Sequence, residues 1–224
     1  MLGDDHRFYV PQELVQVYRT AVLPLANVVT PNQFEVEQLT GIQVNTTEDA
    51  KRACQALHEM MAASSSVVFL TSAILTDDDD DDAKDEESDK NNTRSRRIAI
   101  IASQRKRTKP NNDDDNKYND TDDEDQDELW KITCPLLPGK FTGTGDLTAS
   151  LLLAHLAKQS QQSQENNLPA VMEKVINTMY VVIERTMKKQ QQRGDDTVQS
   201  KELQLIQSKG DIEDPPSTYK AVRL

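Results

Sequence analysis

An α/β fold is predicted by three features: short β-branched runs along the chain, amphipathic helical segments between them, and a length suited to one core. The chain has 224 residues, 36% of them apolar, with four Phe, five Tyr and one Trp. That supports one modest core and excludes a large multidomain assembly.

The first helical pattern follows Val10-Pro11, where Leu14, Val17, Tyr18, Ala21 and Val22 recur at helical spacing until Pro24 ends it. Asn27-Val28-Val29-Thr30 reads as a strand end, Thr30-Pro31-Asn32 as a turn, and the segment to Gly41 as a short helix closed by that glycine. Ala50, Ala53, Cys54, Leu57, Met60 and Met61 keep the i, i+3, i+4, i+7 spacing, with Thr46 and Asp49 placed as a near capping box. Ser66 to Ser72 suits a buried parallel strand. Strand candidates follow at Arg97 to Arg107 and Leu129 to Leu137. A glycine turn then opens onto a helix carrying Leu147, Leu151, Leu152 and His155 on its apolar face. Leu168 to Met187 reads as a long helix, and a shorter one is expected around Leu203 to Ile206.

Charge is distributed unevenly. The formal net charge is −12, and residues 77–128 hold 20 acidic against 10 basic residues, so this block carries most of the excess. The balance argues against nucleic acid and against an anionic membrane surface as partners. Residues 77–93 and 108–128 have almost nothing to bury and are expected to be disordered acidic inserts. Arg94 to Arg97 and Arg105 to Arg107 adjoin these tracts and read as solvated loop ends. Cys54 and Cys134 stand far apart, without a CxxC or a Cys/His cluster, which indicates neither a disulfide framework nor a structural zinc site. With no secretory signal pattern and no membrane-length apolar run, a cytoplasmic location is expected, and the Asn-x-Thr sequons at Asn45, Asn91 and Asn119 read as chance. His155 reads as a packing residue, His6 and His58 as exposed.

The chemistry-bearing motif is Gly143-Thr144-Gly145-Asp146. Small residues permit close backbone approach, and the free N–H groups of the following helix favour an anion such as phosphate. A carboxylate beside that phosphate can accept the proton of an attacking alcohol. Alone, the motif is more often a tight turn with an Asp cap.

The same chain also carries, in order, LGDDHRFYVPQEL, PLANVVTPNQFEVEQLTG, VVFLTS, IASQRKR, GTGDLTASLLLAHL and LQLIQSKGDIEDP. Together these resemble the central and C-terminal parts of pyridoxal kinases, over nearly everything except the acidic inserts. The resemblance implies a ribokinase-like three-layer α/β/α sandwich, here its C-terminal part as one partial domain over residues 1–224. It implies transfer of the ATP γ-phosphate to the 5′-hydroxymethyl of pyridoxal, pyridoxine or pyridoxamine in vitamin B6 salvage, with Mg²⁺ and a monovalent cation, K⁺ or Na⁺, in a homodimer. A kinase for a related hydroxymethyl substrate, and a catalytically inactive interaction protein, are the other readings.

Carried over by position, the resemblance makes Asp146 the catalytic base and Gly143, Thr144 and Gly145 the phosphate and anion contacts, with Gly145 and Asp146 facing substrate. It places Asn32, Thr71 and Ser72 at ATP, with Tyr9, Leu137 and Gly139 as weaker nucleotide candidates. Asp4 matches a magnesium-associated aspartate, and Thr30, Glu35 and Thr71 match the cation and metal-water network. Singly, Asn32 reads as a helix cap and Glu35 as a solvated helix carboxylate. Since Met1 stands directly before Leu2-Gly3-Asp4, the family's upstream strands, vitamer pocket and lid are expected to be missing, leaving an exposed strand edge and little or no turnover.

Overall fold

The computed structural model describes residues 2–4, 7–63, 65–78, 96–106, 127–161, 167–194 and 197–224. The two expected inserts lie outside the described residues except for Asp77, Asp78, Asp127 and Glu128; His6, Arg94, Ser95 and Arg107 lie outside them too.

A short antiparallel hairpin, β1 (Gly3–Asp4) with β2 (Arg7–Phe8), precedes helix α1 (Leu14–Val17), which continues as a π-helical turn over Tyr18–Val22 and a 3-10 turn over Leu23–Leu25. Pro24 lies in that last turn, where the expected helix ends. Then come β3 (Val28–Val29), α2 (Gln33–Thr40), α3 (Thr47–Met60), β4 (Ser65–Ala73), β5 (Arg97–Lys106), β6 (Glu128–Pro135), α4 (Thr144–Gln161), α5 (Leu168–Arg193), α6 (Lys209–Glu213) and β7 (Val222–Arg223). Thr46 caps α3 by the expected reciprocal box, its hydroxyl accepting from Asp49 N while Asp49 accepts from Thr46 N.

The five-stranded sheet has the order β3-β4-β5-β6-β7. Strand β4 is parallel to β3, as the β-branched run predicts, but antiparallel to β5, and β6 and β7 continue antiparallel. The reason lies in the connections: α2 and α3 provide the crossover that parallel pairing requires, whereas no helix among the described residues joins β4 to β5 or β5 to β6 except one 3-10 turn at Thr76–Asp78.

Alternate residues of β4 and β5 feed two cores. Val68, Leu70, Ala99 and Ile101 pack with Val36, Leu39, Ala53, Cys54 and Leu57 of α2 and α3. Val67, Phe69, Ile100 and Ala102 pack on the other face with Leu151, Leu152, Val171, Met172 and Val175 of α4 and α5. Helices on both faces give the three layers expected.

Four details differ from the sequence reading. Residues 203–206 are not a helix: 3-10 turns occupy Gln199–Lys201 and Ile206–Ser208, and the helix is α6. Gln204 N is drawn onto the Thr186 hydroxyl of α5, which fixes this stretch against that helix. His58 is fully buried, its Nδ1 2.7 Å from Ser66 Oγ and its Nε2 2.9 Å from Ser103 Oγ; it continues the stripe of Cys54, Leu57 and Met61. Arg105 is not a solvated loop end, being 6% exposed and paired with Asp127. Asp77 belongs to the fold, because its Oδ2 accepts Thr47 N in the first turn of α3 at 2.8 Å.

Both cysteines are free and buried. Burial pushes the Cys54 thiol up to about 12 and the Cys134 thiol up to about 11, so both stay protonated and unreactive near neutrality. His155 is half-buried, and burial together with Lys174 and Lys158 lowers its pKa. No described helix is long and apolar enough to cross a membrane.

Candidate active site

Strand register defines one end of the sheet. Val29 pairs with Val68 in parallel, Ala73 pairs with Ala99, and Arg97 pairs with Pro135. The segments leaving β3, β4 and β6 therefore all emerge at the same end, and two of them lead into the first turns of α2 and α4. Because α2 covers one face and α4 the other, Asn32 and Asp146 flank this end of the sheet from opposite sides. Ligands of open α/β sheets bind at such an end.

On the α2 side the residues are joined by hydrogen bonds. Asn32 Oδ1 accepts Glu35 N at 2.8 Å, and Glu35 Oε2 accepts Asn32 N at 3.2 Å, a capping box. Asn32 Nδ2 donates to the Gly3 carbonyl at 2.8 Å, and Glu35 Oε1 accepts Leu2 N at 2.5 Å. Glu35 is buried rather than a solvated carboxylate, because both its oxygens serve backbone N–H groups. Asp4, on β1, is thereby carried beside the start of α2.

Thr71 and Ser72 form a bulge in β4: the register steps from Leu70 opposite Ile101 to Ala73 opposite Ala99, so two residues face one. Bulges of this kind re-aim side chains at sheet ends. Thr71 N donates to the Pro31 carbonyl at 2.9 Å, which ties the bulge to the turn that contains Thr30 and Asn32. Tyr9 is largely exposed on the segment after β2, linked to Leu2 through its backbone N–H.

On the α4 side, Leu147 N donates to the Gly143 carbonyl, which makes Gly143 the N-cap residue. Helices α2, α3 and α5 have side-chain N-caps in Asn32, Thr46 and Asn167. Gly143 has no side chain to offer, and among the described residues the N–H groups of Thr144, Gly145 and Asp146 have no partner. Its φ of 91° lies in the left-handed region that favours glycine. Three free donors at the positive end of a long helix form an anion cradle, and Asp146 is exposed beside it. Leu137 and Gly139 lie in the connection from β6 to this turn.

No group of three His, Cys, Asp or Glu side chains able to hold a metal occurs among the described residues. A single carboxylate, Asp4, with an anion cradle at the same end of the sheet fits Mg²⁺ that arrives on phosphates, since Mg²⁺ takes one or two carboxylates plus phosphate oxygens and water.

Sequence reasoning missed Gly3 and Gln33. A Cβ on Gly3 would lie 2.2 Å from the Arg7 carbonyl oxygen and 2.7 Å from the Phe34 ring. Gln33 bridges Val44 and Ile74 through its amide. Neither residue has a local pattern to reveal it: Gly3 is crowded by Arg7 within the hairpin and by the Phe34 ring, and Gln33 reaches Val44 and Ile74.

The fold class is ribokinase-like, and solved structures that share it include pyridoxal kinases and a bacterial protein described as a phosphomethylpyrimidine kinase. The pyridoxal kinase from Leishmania donovani in complex with ADP superposes with a TM-score of 0.73 at 23% identity, covering 100% of this chain and 60% of that one. Its complex with ADP and pyridoxine gives 0.71 at 22% identity, with the same coverage. Residues 1–102 match the family model described as phosphomethylpyrimidine kinase. The pyridoxal kinase of Arabidopsis thaliana is 35% identical over 224 residues, 100% of this chain and 59% of that protein. The human pyridoxal kinase is 31% identical, again over the whole chain and 64% of its own length. The resemblance to pyridoxal kinases expected from the motifs thus runs from end to end, and the chain spans about three fifths of the length of the curated relatives it matches.

Proposed function

We propose that this chain is the nucleotide-binding part of a single ribokinase-like domain in an ATP-dependent pyridoxal kinase, which phosphorylates the 5′-hydroxymethyl of B6 vitamers to give pyridoxal 5′-phosphate. The observation that carries this reading is the uncapped first turn of α4, with Asp146 exposed beside three free N–H donors. The similarity to pyridoxal kinases supplies the substrate class.

In this reading Gly143, Thr144 and Gly145 hold the phosphates, and the N–H groups of this turn stabilise charge on the transferring phosphoryl group. Asp146 takes the proton as the hydroxymethyl oxygen attacks the γ-phosphorus and the bond to ADP breaks. Asn32, Thr71 and Ser72 contact ATP from the α2 side, with Tyr9, Leu137 and Gly139 at its margin. Asp4 would stand beside the nucleotide's Mg²⁺, which would supply charge neutralisation when bound. Thr30, Glu35 and Thr71 support a monovalent cation, K⁺ or Na⁺. A cytoplasmic homodimer without nucleic-acid or membrane partners belongs to the same reading.

The test is pyridoxal phosphorylation with MgATP, followed by product fluorescence, on a full-length version that contains this chain, as wild type and as Asp146→Asn. Product from the wild type and little from the variant is expected; equal rates would remove Asp146 from the reaction. The match of residues 1–102 to phosphomethylpyrimidine kinase favours one second reading, a substituted pyrimidine as acceptor in place of the vitamer. Running both acceptors side by side separates the two.

A further inference from the structure

Gln33 stands one residue past Asn32, and its side-chain amide makes two hydrogen bonds of opposite sense. Nε2 donates to the Val44 carbonyl at 2.7 Å, and Oε1 accepts from Ile74 N at 3.0 Å. The partners fix the amide's orientation, because a carbonyl can only accept and a backbone N–H can only donate. Val44 is itself fully buried and held by Glu37 Oε1 on its own N–H, so Gln33 is anchored to a rigid point.

Ile74 follows the Thr71–Ser72 bulge closely, with only Ala73 between. Upstream, Thr71 N is held by the Pro31 carbonyl, so the bulge is pinned on both sides by the two neighbours of Asn32. A bulge leaves backbone groups outside the ladder, and its position then depends on contacts beyond the sheet.

We propose that Gln33 is a positioning residue for nucleotide binding: it sets the Thr71–Ser72 bulge against Asn32. This rests on the nucleotide reading above. Glutamine alone among the common side chains offers a donor and an acceptor at this reach; asparagine is a methylene short, and ionised glutamate cannot donate to Val44.

The experiment uses the 224-residue chain with Gln33→Ala and Gln33→Glu, read by ATP titration calorimetry, thermal unfolding and amide exchange over residues 71–75. Gln33→Ala is expected to raise exchange there and to weaken ATP binding about three- to tenfold, the scale of one or two lost hydrogen bonds. Gln33→Glu should recover both readouts as pH falls, because the protonated acid again carries a donor and an acceptor. A purely structural role would lower the melting temperature without the affinity tracking protonation of the introduced carboxyl. Unchanged exchange at 71–75 in Gln33→Ala overturns the proposal, as does unchanged ATP affinity. If the wild type itself binds no ATP, the nucleotide reading fails and nucleotide positioning falls with it, while amide exchange still reports whether Gln33 holds the bulge.

Discussion

Asn32 Nδ2 donates to the Gly3 carbonyl at 2.8 Å while its Oδ1 caps α2, so one amide joins the N-terminal hairpin to the helix at the candidate site. The hairpin can approach this closely only because residue 3 has no side chain. In Gly3→Ala the new Cβ meets backbone at Arg7, which cannot swing away as a flexible side chain would. Loss of about 1–3 kcal/mol in chemical denaturation is expected, with Asp4 displaced and nucleotide binding weakened alongside.

Asp146→Asn should separate chemistry from fold. The residue is exposed in the first turn of α4, so replacing its charge changes only a helix-end interaction, about 0.3–1 kcal/mol. Loss of a general base acts on turnover instead, about 10²- to 10⁴-fold. In a full-length version that contains this chain, steady-state kinetics should show kcat falling while ATP affinity stays near wild type, if Asp146 is the base proposed above.

The capping carboxylate of α3 sets part of the acid sensitivity. Hydrogen bonding from Arg52, then Thr46 and Asn45, lowers the Asp49 pKa from 3.8 to about 2. A depressed folded-state value means the stabilisation is fully present above about pH 4 and is lost as pH falls through about 2. Denaturation midpoints measured between those pH values should fall less steeply in Asp49→Asn than in wild type.

Arg105 and Asp127 form a two-pronged ion pair, Nε to Oδ1 at 2.6 Å and the terminal nitrogen to Oδ2 at 2.7 Å, with side chains 7% and 11% exposed. Removing one partner leaves a buried charge uncompensated, at a cost of about 3–5 kcal/mol. Arg105→Ala should therefore cost more than the double replacement Arg105→Leu/Asp127→Leu, measured by urea denaturation.

What is legible in the sequence follows from range. The caps of α2 and α3 are readable because Asn32, Thr46 and Asp49 act within one turn of their partners, whereas Glu35, expected as a solvated carboxylate, is buried because it also reaches Leu2 N. The Gly143 turn is readable as a helix start by the same short range, since Leu147 N donates to the Gly143 carbonyl. Missed features depend on partners far along the chain: Arg105 meets Asp127 across an insert, Gln33 meets Ile74, and β7 joins β6 from the far end of the sequence. The parallel character expected of β4 applies to one neighbour only, since pairing direction depends on the connection and not on composition. His58 is the avoidable error, because its place in the helical stripe already points inward.

Both acidic inserts should be removable without loss of the fold, provided the cuts respect the residues that pack. Each joins antiparallel neighbours: Ala73 faces Ala99, and Gln104 faces Glu128, so the strands to be bridged lie about 5 Å apart, one strand spacing. A loop of a few residues can close either gap. Replacing each cut by about five residues shortens its loop by roughly one doubling and relieves about 0.6 kcal/mol of closure entropy. Asp77 must stay, because it caps Thr47 N, and so must Arg105 and Asp127. Replacing 80–94 and 108–125 by short Gly/Ser loops should leave the melting temperature unchanged or higher and ATP affinity within a small factor. Extending the first cut to include Asp77 should lower the melting temperature, since α3 then loses an N-terminal hydrogen bond, and comparing the two deletions by calorimetry checks that the boundary lies there.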